Sequence, residues 1–144
     1  MDKETDNTLR ISENALLAPE QSDFKVAFIG EPTYIGDGDA ILKITGDTTA
    51  TMNITGLKTV GDSVTAIFTI ENKSNDIYAD IYTEVTNTNT EYFNVTSTLS
   101  ESRMKPKTGK TILEITVELI KLPIDNDVNA AICTKIFANP RYYK

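Results

Sequence analysis

Few residues in this chain of 144 have the types and spacing that catalysis or metal binding requires. The chain contains no histidine, which excludes Ser-His-Asp and Cys-His catalysis and every zinc site with a histidine ligand. Its only cysteine is Cys133, so an internal disulfide and a metal site with several cysteines are excluded as well. The neighbours Ala131, Ile132 and Ile136 predict that Cys133 is a small buried hydrophobic side chain rather than a reactive thiol.

Two acidic turns contain the oxygen ligands that calcium prefers, at residues 36–39 (Gly-Asp-Gly-Asp) and 125–127 (Asp-Asn-Asp). Neither turn continues the D-x-D-x-D-G pattern, and Asp and Gly are also the residues that ordinary turns favour. No spacing selects a carboxylate pair for glycoside hydrolysis, and no glycine motif for phosphate is present. The sequence therefore predicts no catalytic residue, no metal site, no cofactor and a protein that is not an enzyme.

An aromatic pair, Tyr78 and Tyr82, is spaced to contact a ligand. Both side chains fall on the same side of a predicted strand, and Tyr92 lies nearby in the sequence, so the rings could stack a sugar ring or a partner protein. The alternative is ordinary packing against threonine and lysine side chains of neighbouring strands. The absence of tryptophan argues against a dedicated carbohydrate module.

The net charge of −7 argues against nucleic acid or an anionic membrane as the main partner, because both bind concentrated basic surfaces. The densest basic group is formed by Arg103, Lys105, Lys107 and Lys110. It predicts a solvated turn, with contact to an acidic partner as the second interpretation. No run approaches the roughly 18 apolar residues of a membrane span, so no span is predicted.

Alternation of apolar and polar residues in short runs, separated by Gly, Asn, Asp and Pro, predicts the elements. The runs Ser63–Glu71 and Lys110–Leu122 are the clearest strands, and Ile77–Val85 is expected to form a hairpin with the first through the turn at 72–76. The inward residues expected on the two clearest strands are Val64, Ala66, Phe68, Ile70, Leu113, Ile115, Val117 and Leu119. Further strands are expected at Phe24–Ile29, Ala40–Ile44, Thr49–Thr55, Tyr92–Leu99 and Asn129–Ala138. About eight strands predict an all-β fold, an antiparallel β-sandwich of the jelly-roll or Ig-like kind.

The chain divides into an N-terminal segment, residues 1–22, and a sandwich domain, residues 23–144. Leu9, Ile11, Ala15 and Leu17 alternate loosely in the N-terminal segment, which favours a strand. Ser12 could instead cap a short helix that ends before Pro19.

Four short motifs follow one another between residues 39 and 74: Asp39-Ala-Ile-Leu-Lys-Ile44, Met52-Asn-Ile-Thr-Gly-Leu-Lys58, Gly61-Asp-Ser-Val64 and Phe68-Thr-Ile-Glu-Asn-Lys-Ser74. In content and order they resemble the TasA and camelysin family. That family has a short apolar strand, a strand that ends in a Leu-x-x-x-Gly-Asp turn, and an F-x-I-x-N-x-S strand. The resemblance covers about residues 39–85, with weaker agreement at Asn139-Pro140.

The resemblance implies a secreted or cell-surface, jelly-roll-like structural protein whose subunits assemble into biofilm fibres, alone or with other matrix proteins. It also implies that an N-terminal segment of one subunit completes the sheet of the next by strand addition. Leu9, Ile11, Ala15 and Leu17 are then the expected strand-exchange residues, and packing on their own domain is the alternative. A composition rich in Thr and Asn and poor in Cys is typical of Gram-positive surface proteins.

Enzymatic and adhesive functions are the alternatives to a structural role. Members of the family have been described as metallopeptidases, but a chain without histidine has no H-E-x-x-H motif. The alternative function is therefore a monomeric cell-surface adhesin that binds a protein or a glycan through the loops Ile35–Asp39 and Arg103–Gly109.

Overall fold

The computed structural model describes residues 23–123 and 128–142. In this part of the chain the strands are β1 Val26–Gly36, β2 Asp39–Ile44, β3 Thr49–Thr55, β4 Ser63–Asn72, β5 Tyr78–Asn87, β6 Phe93–Leu99, β7 Arg103–Met104, β8 Gly109–Leu119 and β9 Ala130–Arg141. They form a four-stranded sheet, in the order β1-β4-β8-β6, and a five-stranded sheet, in the order β2-β3-β9-β5-β7. Every strand pair is antiparallel. The predicted antiparallel β-sandwich is confirmed, with nine strands in the described residues where about eight were expected of the chain.

The core lies between the two sheets and is built by the predicted alternation. All eight inward residues expected on β4 and β8 are at most 1% exposed. The five-stranded sheet contributes the other side of this core through Met52, Ile54, Ala79 and Ile132. β4 and β8 occupy the middle of their sheet, and their inward positions from Val64 to Ile70 and from Leu113 to Leu119 are all apolar, so their sequence pattern is the clearest in the chain.

The turn at residues 72–76 does not form the expected hairpin, because β4 and β5 belong to different sheets. Both edges of β4 are already paired, with β1 on one side and β8 on the other. The Nδ2 group of the buried Asn72 donates to the carbonyls of Ile77 (2.9 Å) and Met104 (3.2 Å). Its Oδ1 atom accepts the N–H of Ser74 at 3.0 Å. These bonds direct the chain around the end of the sandwich and into the opposite sheet.

The second half of β1 and the whole of β7 were not predicted. The strand β1 continues to Gly36 beyond a register shift between Ile29 and Thr33, a stretch that contains Pro32. The strand β7 has only two residues and takes Arg103 out of the predicted solvated turn. Lys107 and Thr108 in the remaining turn have positive φ angles of 59° and 73°.

Candidate functional site

Among the residues that the structure describes, the strand β6 leaves one edge of the four-stranded sheet open. It pairs with β8 on one side and is the last strand of its sheet. The carbonyl of Tyr92 accepts a hydrogen bond from the N–H of Ile120, and the N–H of Ser100 donates to the carbonyl of Ile112. The backbone groups of the even-numbered residues therefore point toward β8. Because these bonds alternate along an antiparallel strand, the backbone groups of the odd-numbered residues from 95 to 99 point away from the sheet.

The strand β5 presents a second edge that is open within residues 23–123 and 128–142. It pairs with β9 over its whole length but with β7 only through Ala79 and Asp80. The N–H of Ile81 donates to the carbonyl of Ser102 at 2.8 Å, on the side away from β9. The same alternation places the backbone groups of Thr83 and Val85 on that side, beyond the end of β7.

The two open edges border one groove of about 490 Å³, which we call the edge groove. The residues that line it are Val85, Thr86, Asn87, Thr90, Phe93, Asn94, Val95 and Ile120. Val85 and Val95 are half-buried and pack on the core, and Ile120 is 44% exposed at the rim. The edge groove therefore combines unpaired strand edges with an apolar floor.

Asn87 fixes the closed end of the edge groove. Its Nδ2 group donates to the carbonyl of Phe93 at 3.0 Å, and its Oδ1 atom accepts the N–H of Asn89 at 3.0 Å. The N–H of Phe93 in turn donates to the carbonyl of Asn89 at 3.1 Å. The connection between β5 and β6 thus supplies hydrogen-bond partners for the backbone N–H and carbonyl groups of Phe93, the first odd-numbered residue of β6. The outward backbone groups of the following odd-numbered residues remain available to an added strand.

The other outer strand of the four-stranded sheet differs from β6. In β1 the pairing is interrupted at residues 30–32, which include Pro32, and the N–H of Phe28 is taken by the carbonyl of Asp47 at 2.8 Å. Bulges, prolines and covering loops are means by which natural proteins block unwanted strand addition. The sequence of β6, Phe-Asn-Val-Thr-Ser-Thr-Leu, has no charge, no proline and no register shift. This lack of protection is the sequence signal that would have identified β6.

The predicted ligand pair lies on a different surface, the outer face of the five-stranded sheet. Tyr78 and Tyr82 do share one face of β5, but Asp80 lies between them. The partner of Tyr82 is Phe137 on β9, with ring centroids 5.0 Å apart and an angle of 13° between the rings. Sequence reasoning did not find Phe137, because the contact depends on the register of two distant strands.

Asp80 is held by two arginines. The Nε atoms of Arg103 and Arg141 lie 2.7 Å from its Oδ1 and Oδ2 atoms, respectively. Their hydrogen bonds lower the pKa of Asp80 from 3.8 to about 2, and the bond from Arg103 has the larger effect of the two.

We expect these ion pairs to make folding stability depend on pH in a narrow acidic range. The pKa of Asp80 is lower in the folded state than in the unfolded chain. The ion pairs therefore stabilise the fold fully above pH 3.8, and this stabilisation is lost as the pH falls through about 2. The substitution Asp80→Asn should remove this contribution, which urea unfolding at pH values between 2 and 5 would measure. Asp76→Asn, at an exposed position in the preceding turn, is the control. Identical pH profiles for the two variants would contradict the assignment.

The remaining predicted chemistry falls in turns and on the sheet surface. The Asp37 carboxylate accepts the N–H of Ser63 at 3.0 Å, as expected of a turn residue. Within residues 23–123 and 128–142, no group of three or more Asp, Glu, Cys or His side chains is arranged to hold a metal ion. Residues 125–127 lie outside the described residues, as do the strand-exchange residues Leu9, Ile11, Ala15 and Leu17.

The prediction that Cys133 is buried is wrong, because its side chain is exposed. On β9 the inward positions are Ile132, Thr134 and Ile136, so the intervening cysteine lies on the outer face. Thr134 takes the buried place and donates its hydroxyl to the carbonyl of Glu84 at 3.1 Å.

The motifs that resemble the TasA and camelysin family are structural in this chain. Phe68, Ile70, Asn72 and Ser74 occupy alternate positions and are each at most 1% exposed. The Asp62 carboxylate accepts the N–H groups of residues 58 and 59 at 3.1 and 3.0 Å and so closes the Gly-Asp turn. The Phe68–Ser74 motif thus contributes to the core, and the Gly61–Val64 motif closes a turn.

Comparisons with family models, with curated proteins and with solved structures found no match for this chain. The part of the chain that the structure describes has no helix long and apolar enough to cross a membrane.

Proposed function

We propose that this protein is a secreted structural subunit that assembles into an extracellular or cell-surface fibre by β-strand complementation. The edge groove is the observation that supports the proposal. A strand that enters it would gain main-chain hydrogen bonds from β6 and would bury alternate side chains against Val85 and Val95. Both features are required for strand addition, because backbone bonds give affinity and side-chain pockets fix the register.

The N-terminal segment of a neighbouring copy is the proposed donor. The nine residues from Leu9 to Leu17 would span about 30 Å when extended, and the seven residues of β6 span about 23 Å. Leu9, Ile11, Ala15 and Leu17 would then place apolar side chains on one face of the added strand, toward the apolar floor of the edge groove, with Glu13 on the same face between the two apolar pairs.

The topology supports donation between copies. Asp23 is fixed beside the turn that follows β4, where its carboxylate accepts the side-chain N–H of Asn75 at 3.0 Å. The chain thus enters the fold next to β1, and β1 and β6 are opposite edges of the same sheet, separated by about 14 Å. A donor strand reaches the β6 edge of a neighbouring copy without having to pass around its own sandwich. Repeated donation of this head-to-tail kind produces an open filament.

A substitution on β6 beside the edge groove tests the proposal. Ser97 is exposed, and it has the same parity on β6 as Phe93, Val95 and Leu99, which contact the core. A lysine at this position would place a charge where the donor strand must pack, and inward-facing charges are a natural means of blocking strand addition. We expect Ser97→Lys to weaken assembly about tenfold or more, measured as the concentration at which light scattering detects oligomers.

Thr96→Lys is the matched control, because Thr96 is also exposed but lies on the outer face of β6, opposite Thr116 of β8. It adds the same charge to the same strand without entering the edge groove. Equal assembly of the two lysine variants would contradict the proposal that the groove accepts a strand.

The alternative function, a monomeric surface adhesin, is favoured by a different observation. The outer face of the five-stranded sheet carries the exposed Tyr82 and Arg141 and the half-buried Phe137 on adjacent strands, away from the edge groove. A chain that stays monomeric yet binds a partner through this face would support the adhesin.

A further inference from the structure

Four rows of side chains cross the outer face of β5 and β9 and form what we call the aromatic strip. The facing pairs are Tyr78 with Arg141, Asp80 with Asn139, Tyr82 with Phe137, and Glu84 with Lys135. Successive rows are about 7 Å apart, because alternate residues of a strand share one face. The aromatic strip is a continuous surface of aromatic, cationic, anionic and amide groups and is separate from the edge groove.

The aromatic part of the strip presents a ring face that is fixed in place. Tyr82 is 52% exposed although it stacks on Phe137. The Lys135 ammonium group lies 5.5 Å from the centroid of the Phe137 ring. Stacking holds the two rings in one orientation, so little side-chain entropy remains to be lost when a flat, partly apolar ligand binds.

The polar part of the strip carries cations that are also fixed. Arg141 contacts Asp80 through Nε, and its side chain is 46% exposed. Its terminal Nη groups are therefore oriented and can donate to a ligand carboxylate. The exposed Asn139, beside Asp80, supplies an amide that can both donate to and accept from hydroxyl groups.

The charge of the strip differs from that of the whole chain. Within the strip, Lys135 and Arg141 balance Asp80 and Glu84. Arg103 of the adjacent strand β7 also contacts Asp80, so that with it three cations face two anions, in a chain with a net charge of −7. A ligand that uses every part of the strip must have a ring to stack, hydroxyl groups to bond to an amide, and a negative charge.

We propose that the aromatic strip binds an acidic polysaccharide built of uronic acid rings. The Tyr82 ring would stack one sugar, Asn139 would bond its hydroxyls, and Arg141 and Lys135 would bind carboxylates along the chain. This inference does not depend on strand complementation, since none of these side chains lines the edge groove.

Titration calorimetry on the full chain with a galacturonic acid hexamer tests this inference, with a neutral glucose hexamer and a glutamate hexamer as comparison ligands. We expect saturable binding of the galacturonic acid hexamer that weakens as salt is added. Tyr82→Ala should weaken this binding about five- to tenfold, in keeping with the loss of one aromatic stacking contact. Tyr34→Ala is the matched control, because Tyr34 is 38% exposed on β1 of the other sheet and should leave the affinity unchanged.

Three results would overturn the inference. The first is no saturable binding of the galacturonic acid hexamer at low salt. The second is equal affinity in the Tyr82→Ala and Tyr34→Ala variants. The third is equally tight binding of the glutamate hexamer with the same dependence on Tyr82, which would indicate an acidic peptide as the ligand. Light scattering on the same samples reports whether the chain assembles. Failure of the polysaccharide inference can therefore be distinguished from failure of the fibre proposal.

Discussion

Removal of residues 1–22 is expected to abolish assembly while leaving the sandwich folded. The remaining chain keeps the contacts that anchor its start, since Asp23 still binds Asn75 and the N–H of Lys25 still donates to the Ser74 hydroxyl at 2.9 Å. It also keeps every core residue found in the part of the chain that the structure describes. Light scattering should report a monomer at every concentration at which the full chain forms oligomers, and electron microscopy should show filaments for the full chain alone.

The unfolding transition of the truncated chain is the control for this deletion. A cooperative transition in urea shows that the loss of assembly does not come from a loss of folding. Oligomers of the same size before and after truncation would contradict the role of the N-terminal segment. A full chain that stays monomeric under all conditions would contradict the fibre proposal itself.

Asn72→Ala is expected to cause a large loss of stability for the substitution of a single polar side chain. It leaves the carbonyls of Ile77 and Met104 and the N–H of Ser74 without their side-chain partner, in a region closed to water. A buried polar group without a partner costs about 1–3 kcal/mol. We expect the free energy of unfolding to fall by roughly 2–4 kcal/mol, which urea titration would show as a midpoint lower by roughly 1–3 M.

Asn53→Ala is the matched control for Asn72→Ala, because Asn53 is an exposed strand asparagine on β3. Its free energy of unfolding should change by no more than about 0.5 kcal/mol. Similar values for the two variants would show that the Asn72 hydrogen bonds do not hold the turn between the sheets.

The sequence predicted the centre of the fold better than its connections. On β4 and β8, inward apolar residues such as Phe68 and Leu113 alternate without a break, so the local pattern determines which face is buried. The turn at 72–76 has the composition of a hairpin turn. The residues of the turn contain no indication that β4 is already paired with β1 and β8. The apolar neighbours Ile132 and Ile136 do not indicate that Cys133 is buried. They have the opposite parity on β9, so their side chains point to the core while the cysteine lies on the outer face.

The candidate sites could be predicted only in part, because they too depend on how distant strands pair. Tyr78 and Tyr82 were found because they lie on one strand, but the ring that stacks on Tyr82 comes from β9 and depends on the register between strands. The edge groove depends on where β7 ends and on β6 being the last strand of its sheet. Both are properties of the order of strands, which a pattern within one strand does not contain.

Whether the edge groove accepts the N-terminal segment is tested most directly by the binding of a peptide of residues 1–22 to the isolated domain 23–144. Amide chemical shifts of the labelled domain would report where the peptide binds. Strand complementation predicts saturable binding with one peptide per domain and with the largest shifts at Val85, Val95, Ser97 and Leu99. No binding, or shifts confined to β1 and β2 at the opposite side of the sandwich, would contradict it.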